Sequence, residues 1–234
     1  MAATRAPGLG LLAGLFVLGA MPAQAQLSGS LTVASDFRLR GISVTERRPA
    51  VTLSAAYDDR SGLYAGASVI AHDPEAVAAR ILGHTEYLGY AMRADDGVSW
   101  DVGVANVDLT LYADQKYPLS YRQLYVGVGK DSLSARLSLS PNYPRHGLSS
   151  AYLDLNGVAR PAEDWRVSGH VGVMRRLGGG PGDGRRERYD ARVGVTRSFD
   201  DFEVQASWTG VAHRPRPRAS RTRSGFQVGA SYFF

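Results

Sequence analysis

From Gln26 onward the chain alternates apolar and polar residues with a period of two, and no apolar run there reaches the about 20 residues that a membrane-spanning helix needs. Leu31, Val33, Phe37 and Leu39 alternate with Thr32, Asp36, Arg38 and Arg40. Leu133, Ala135, Leu137 and Leu139 alternate with Ser134, Arg136, Ser138 and Ser140, and Phe202, Val204, Ala206 and Trp208 with Glu203, Gln205, Ser207 and Thr209. Successive side chains of a strand point to opposite faces, so each segment has one apolar and one polar face. Helical spacing competes nowhere over a comparable length. A chain built this way is either a soluble β protein or a closed barrel in lipid, because only closure leaves no unpaired strand edge in hydrocarbon. The slightly negative mean hydropathy of −0.19 does not decide between them, since only alternate residues of a membrane strand need be apolar.

Twelve strands are predicted, at about 29–39, 49–58, 62–72, 80–93, 97–107, 119–130, 132–140, 149–160, 164–175, 188–199, 201–211 and 223–234. The connections between them sort strictly by length. Tight ones fall at Asp59, Ala94, Asp131, Arg160 and Asp200, and longer ones begin at Gly41, Asp73, Asp108, Pro141, Arg176 and Ala212. Outer-membrane barrels have short periplasmic turns and longer extracellular loops, a division that a soluble sandwich has no reason to make. The last strand is apolar at Phe226, Val228, Ala230, Tyr232 and Phe234 and stops on an aromatic. Tyr232 and Phe234 are therefore expected to serve as the assembly signal read by the barrel insertion machinery. The expected fold is an all-β, antiparallel up-and-down transmembrane barrel of twelve strands, with both termini in the periplasm.

Residues 1–25 carry Arg5, an apolar stretch from Gly8 to Ala20 and the small-x-small site Ala23-Gln24-Ala25. That arrangement reads as a cleaved secretory signal peptide, which leaves residues 26–234 as one barrel domain in the outer membrane of a Gram-negative cell. The absence of Cys excludes disulfides, thiolate metal sites and thiol chemistry.

The stretch Ser35-Asp36-Phe37-Arg38-Leu39-Arg40-Gly41-Ile42-Ser43, followed by Pro49 and Ser61-Gly62-Leu63-Tyr64-Ala65-Gly66, resembles the TorF-type (Gcw_chp) porin family of proteobacterial outer membranes. Weaker traces recur at Ser99-Trp100-Asp101, Tyr125-Val126-Gly127 and Tyr152-Leu153-Asp154. The resemblance implies an outer-membrane barrel that admits small polar solutes or ions by passive diffusion.

If the barrel spans, charged groups must face inward, because an Arg or Lys facing hydrocarbon at mid-depth costs about 2–4 kcal/mol. The expected pore lining is Asp36, Arg38, Arg40, Glu86, Asp101, Arg136, Asp154, Arg166, His170, Arg192 and Glu203. Opposed acids and arginines can sieve polar solutes, or pair with one another and fill the lumen. Eight strands enclose only side chains and sixteen leave an aqueous channel, so twelve permit either outcome. Asp36, Arg38 and Arg40 are expected to form a column of alternating sign on one strand face.

Arg185, Arg186, Arg188, Arg214, Arg216, Arg218 and Arg221 form basic extracellular loops that suit lipopolysaccharide phosphates. Lipid, lipopolysaccharide, the insertion machinery and small solutes are the expected partners, and nucleic acid is not, for want of a reading element. The five histidines (His72, His84, His146, His170 and His213) show no metal-ligand spacing, and no nucleophile can be assigned beside His84 and Glu86. No catalytic residue, metal or cofactor is expected. Two other readings are a non-conducting barrel acting through its surface and a soluble ligand-binding barrel. The latter would need an apolar interior.

Overall fold

The computed structural model describes residues 26–72, 80–110, 118–143, 147–178, 187–212 and 224–234. Twelve of its strands close into a single barrel: β1 (Gln26–Ala34), β4 (Ala50–Asp58), β5 (Leu63–His72), β6 (Arg80–Arg93), β7 (Ser99–Leu109), β8 (Leu119–Lys130), β9 (Leu133–Ser140), β10 (Ser150–Ala162), β11 (Trp165–Arg176), β12 (Glu187–Phe199), β13 (Phe202–Ala212) and β14 (Gly225–Phe233). Each is antiparallel to its neighbours in chain order. β1 closes the ring by pairing with both β4 and β14. The short turns and both described termini lie at one end of the cylinder, and the strand ends joined by the longer connections lie at the other. We refer to these as the turn end and the loop end. The two-residue turns at Asp131 and Asp200 place those residues at φ 52° and 45°, a left-handed conformation that Asp tolerates better than most side chains.

Alternation decides what each face meets. Leu31, Leu53, Val102, Leu124, Leu137, Leu153, Val171, Val193 and Val228 stand exposed on the outer wall, whereas their strand neighbours point into the lumen. Tyr57, Tyr90, Trp100, Trp165, Phe199, Phe202 and Tyr232 ring the outside at the turn end, where an amphipathic aromatic belt belongs.

Two features depart from the sequence expectation. The first strand ends at Ala34 instead of continuing to residue 39. Residues 35–49 leave the wall, and a two-stranded hairpin, β2 (Arg38–Leu39) and β3 (Ile42–Ser43), turns inside the loop end of the barrel. Leu39 and Val44 from this segment pack with Ile70, Leu82, Val107, Leu109, Leu119, Tyr121, Tyr152 and Met174, forming an apolar core within the lumen. Leu39 fits that core as well as it would fit a lipid-facing strand, so alternation alone cannot separate the two placements.

The second departure is a bulge at Gly83, where the β5–β6 register slips between Ile70 and Ala71. One extra residue reverses the facing of everything beyond it. Leu82 therefore points into the core on one side of the bulge, while Leu88, Tyr90 and Met92 point outward on the other. Gly83 is required there, since a Cβ would overlap the Asp108 carbonyl oxygen.

Candidate functional site

The lumen has a packed side and a solvated side. On the packed side, Tyr64 (β5), Gly89 (β6), Gly103 (β7) and Tyr125 (β8) share one row across four strands. The two rings lie over the two glycines, where any Cβ would collide with them, and their hydroxyls meet at 2.8 Å. Tyr64 also donates to Asp101 Oδ2 at 3.0 Å, and the same oxygen pairs with Arg136 Nη2 at 3.0 Å. Gly127 lies between those two strands, and its missing Cβ leaves room for the Asp101 carboxylate.

One strand further on, Asp154 lies opposite Arg136 and accepts from Asn156 Nδ2 at 2.7 Å. His170 Nδ1 is 2.7 Å from Asn156 Oδ1, and its Nε2 is 3.1 Å from both Asp190 Oδ1 and the Tyr152 hydroxyl. Arg192, the cross-strand neighbour of His170, continues the row on β12. Near the turn end Arg166 Nη2 pairs with Glu203 Oε2 at 2.8 Å, and Ser198 donates to the other carboxylate oxygen. Asp101, Arg136, Asp154, Arg166, His170, Arg192 and Glu203 are thus brought into one enclosed space, largely paired with each other.

The opening motif is placed differently from the expected strand column. Asp36, 1% exposed, accepts from the Ser43 and Thr45 hydroxyls and pairs with Arg38 Nε at 2.7 Å. Its backbone carbonyl accepts from the Gln227 amide of β14. Asp36 and Arg38 therefore hold the inserted segment together and to the wall. Arg40, at the hairpin tip with φ 47°, sends its guanidinium to Gln123 Oε1 at 2.7 Å. It lies 4.4 Å from the ring centres of Tyr143 and Tyr152 and 5.4 Å from that of Tyr121.

Glu86 corrects a sequence expectation. The bulge at Gly83 puts it on the outer face with Leu88, where its side chain is 56% exposed beside His84 and Asn106. Arg188 is corrected too. It is the second residue of β12 instead of sitting in a loop, and its Nη2 donates to the Tyr143 hydroxyl at 3.0 Å inside the barrel. Arg185, Arg186, Arg214, Arg216, Arg218 and Arg221 lie outside the described residues. Tyr232 packs on Phe202 and Phe234, and Phe234 pairs with Gly29 through both backbone groups.

The sequence reading missed Tyr64, Tyr121, Tyr143, Tyr152 and Asp190 as lumen residues. The phase of β8 carries the signal for one of them: Leu124, Val126 and Val128 point outward, so Tyr121 must point inward with Gln123 and Tyr125.

On the solvated side, from β13 through β14 and β1 to β4, the inward residues other than Asp58 and Glu203 at the turn end are small or uncharged. Ser28, Ser30, Thr32, Ser54, Gln205, Ser207 and Ser231 are all only half-buried, in contrast to the buried Tyr64, Asp101, Asp154 and Asp190 opposite. A polar lane therefore runs along the closure seam and meets the inserted segment at the loop end.

An apolar outer wall, a polar and partly filled interior and complete closure define a β-barrel of the outer-membrane type. The chain belongs to the Gcw_chp family, described as a bacterial protein of unknown function, which it matches over residues 20–229. Its fold is similar to that of the NanC porin, at 8% identity and TM-score 0.57, covering 88% of this chain and 99% of that one. It is also similar to the COG4313 outer membrane channel from Pseudomonas putida F1, at 10% identity and TM-score 0.55, covering 94% and 98%. The KdgM porin aligns at 13% identity and TM-score 0.51, covering 88% and 99%. At such identities the likeness is one of fold. Among curated proteins none matches the sequence.

Proposed function

We propose that this chain is an outer-membrane channel passing small polar solutes or ions, in keeping with its resemblance to TorF-type porins. The observation that carries this reading is the solvated lane of hydroxyl and amide side chains along β13, β14, β1 and β4, lined at the turn end by the Arg166–Glu203 pair. A barrel needed only as a shell has no reason to keep one wall of its lumen small and wet. Asp101, Arg136, Asp154, His170 and Arg192 form the opposite, charged wall, and Asp36, Arg38 and Arg40 belong to the inserted segment that narrows the lumen at the loop end. In this reading residues 1–25 are removed on export, the turn end faces the periplasm and the arginine-rich loops meet lipopolysaccharide phosphates. Tyr232 and Phe234 present the last strand to the insertion machinery.

Reconstitution in planar lipid bilayers is the test, with reproducible single-channel steps expected. A correctly folded but electrically silent barrel would overturn the channel. The mutually paired charges of the packed side favour one second reading, in which the barrel is a non-conducting surface protein, and silence would establish it.

A further inference from the structure

The tyrosines around Arg40 come from three successive parts of the chain: Tyr121 on β8, Tyr143 in the connection after β9, and Tyr152 on β10. Each is held by partners other than Arg40. Tyr121 and Tyr143 pack edge to face at 4.6 Å and 65°, Tyr143 accepts from Arg188, and Tyr152 donates to Asp190 and lies beside His170. Gln123 supplies a carbonyl oxygen at the rim. The rings offer their faces to a planar cation, and the carboxylates of Asp190 and Asp154 add negative potential nearby. The arrangement is a guanidinium cage built in advance of its occupant.

The occupant fits imperfectly. Arg40 is 9% exposed, and its Nη1 is buried with no hydrogen-bond acceptor among the described residues. It is delivered on a segment in which Arg40, Glu46 and Arg47 all adopt left-handed backbone, at φ 47°, 54° and 65°. Two of the three hydroxyls are bonded within the walls, while that of Tyr121 is buried with no hydrogen-bond partner among the described residues. A cage positioned by its own walls, filled by a strained and incompletely bonded side chain, has the form of a ligand site occupied in cis.

We propose that Tyr121, Tyr143, Tyr152 and Gln123 form a binding subsite for solutes bearing a guanidinium group, and that Arg40 occupies it until such a solute takes its place. The proposal rests on the channel reading for the route by which solute arrives, but binding itself needs no current. A tethered occupant competes at an effective concentration in the millimolar range or above, so the wild-type site should bind free ligand weakly.

The test is titration of L-argininamide into the full barrel folded in detergent micelles, followed by calorimetry, with sodium chloride at equal ionic strength as control. Folding of each variant is verified by heat-modifiable migration on gels. Arg40→Ala should bind argininamide about tenfold or more tightly than wild type, and Arg40→Ala combined with Tyr152→Leu should lose that gain. The site is refuted if Arg40→Ala binds no better than wild type, or if the Tyr152→Leu change leaves its binding intact. Should Arg40→Ala misfold, Arg40→Met keeps the apolar stem and must also exceed wild type; a folded Arg40→Met that does not do so is equally fatal. Binding without conductance would remove the channel reading alone, and conductance without binding would remove the subsite alone.

Discussion

At the scale of single residues, the lumen is organised by what glycine omits. Asp101 reaches Arg136 across β8 only because Gly127 has no side chain in the way, and Tyr64 and Tyr125 lie flat only because Gly89 and Gly103 face them. These are positions where volume, and not backbone freedom, selects glycine. Gly127→Ala should force the Asp101 carboxylate aside and loosen its 3.0 Å pair with Arg136. Overpacking of this kind costs about 1–3 kcal/mol, read as a lower urea midpoint for unfolding from micelles. Asp101→Ala should cost more than Asp101→Asn, because asparagine still accepts from Tyr64 while alanine leaves both Tyr64 and Arg136 without that oxygen. Equal midpoints for the two Asp101 variants would show that the network contributes no stability.

At the scale of elements, the strands were legible because lipid outside and water inside impose a two-residue period that nothing else in the chain contests. The β11 assignment can be tested directly. Val171 is 51% exposed on the outer wall and Ser168 faces the lumen. Val171→Arg near mid-depth should cost about 2–4 kcal/mol and impair assembly, whereas Ser168→Arg should assemble normally. Equal heat-modifiable folding of both would reverse the facing of that strand. Two elements resisted the same logic for definable reasons. On β6 a single bulge at Gly83 shifts the phase, so Glu86 goes outward while Leu82 goes inward. A glycine in an otherwise regular strand hints at a bulge, but the sequence does not say on which side the phase changes. In the segment 35–49, Phe37 and Leu39 keep an alternating pattern while packing inside the barrel beside Val44, because an apolar pocket in the lumen and a lipid wall outside make the same demand on a side chain. Of the site, the charged rows on β7, β9, β11 and β13 followed from alternation. The tyrosine cage did not, since Tyr143 lies beyond the end of β9 and its partner Arg40 arrives from a hairpin about a hundred residues earlier in the chain.

At the scale of the whole molecule, the architecture separates the wall from the filling. The wall is a continuous ring of backbone pairing that closes through β1, with β4 on one side and β14 on the other, and from residues 35–49 it draws only on Ser35, which bonds Val228 of β14. The filling is that segment, anchored by the Leu39 and Val44 core, by Asp36 with Ser43, Thr45 and Gln227, and by Arg40 in its cage. Replacing residues 37–45 with a Gly/Ser linker of equal length should therefore leave the barrel folded while emptying the loop end of its lumen. The cost is the burial of Leu39 and Val44, about 1.5–3 kcal/mol each, and it falls on the filling and not on the strand ladder. On the channel reading, the linker variant should conduct severalfold more than wild type in bilayers and should pass larger solutes. Liposome swelling with sugars of increasing size gives a second readout, in which the variant should admit sugars that the wild type excludes. Unchanged conductance and an unchanged size limit would place the narrowest point elsewhere, at the Arg166–Glu203 pair near the turn end, where Glu203→Gln would then be the next substitution to test.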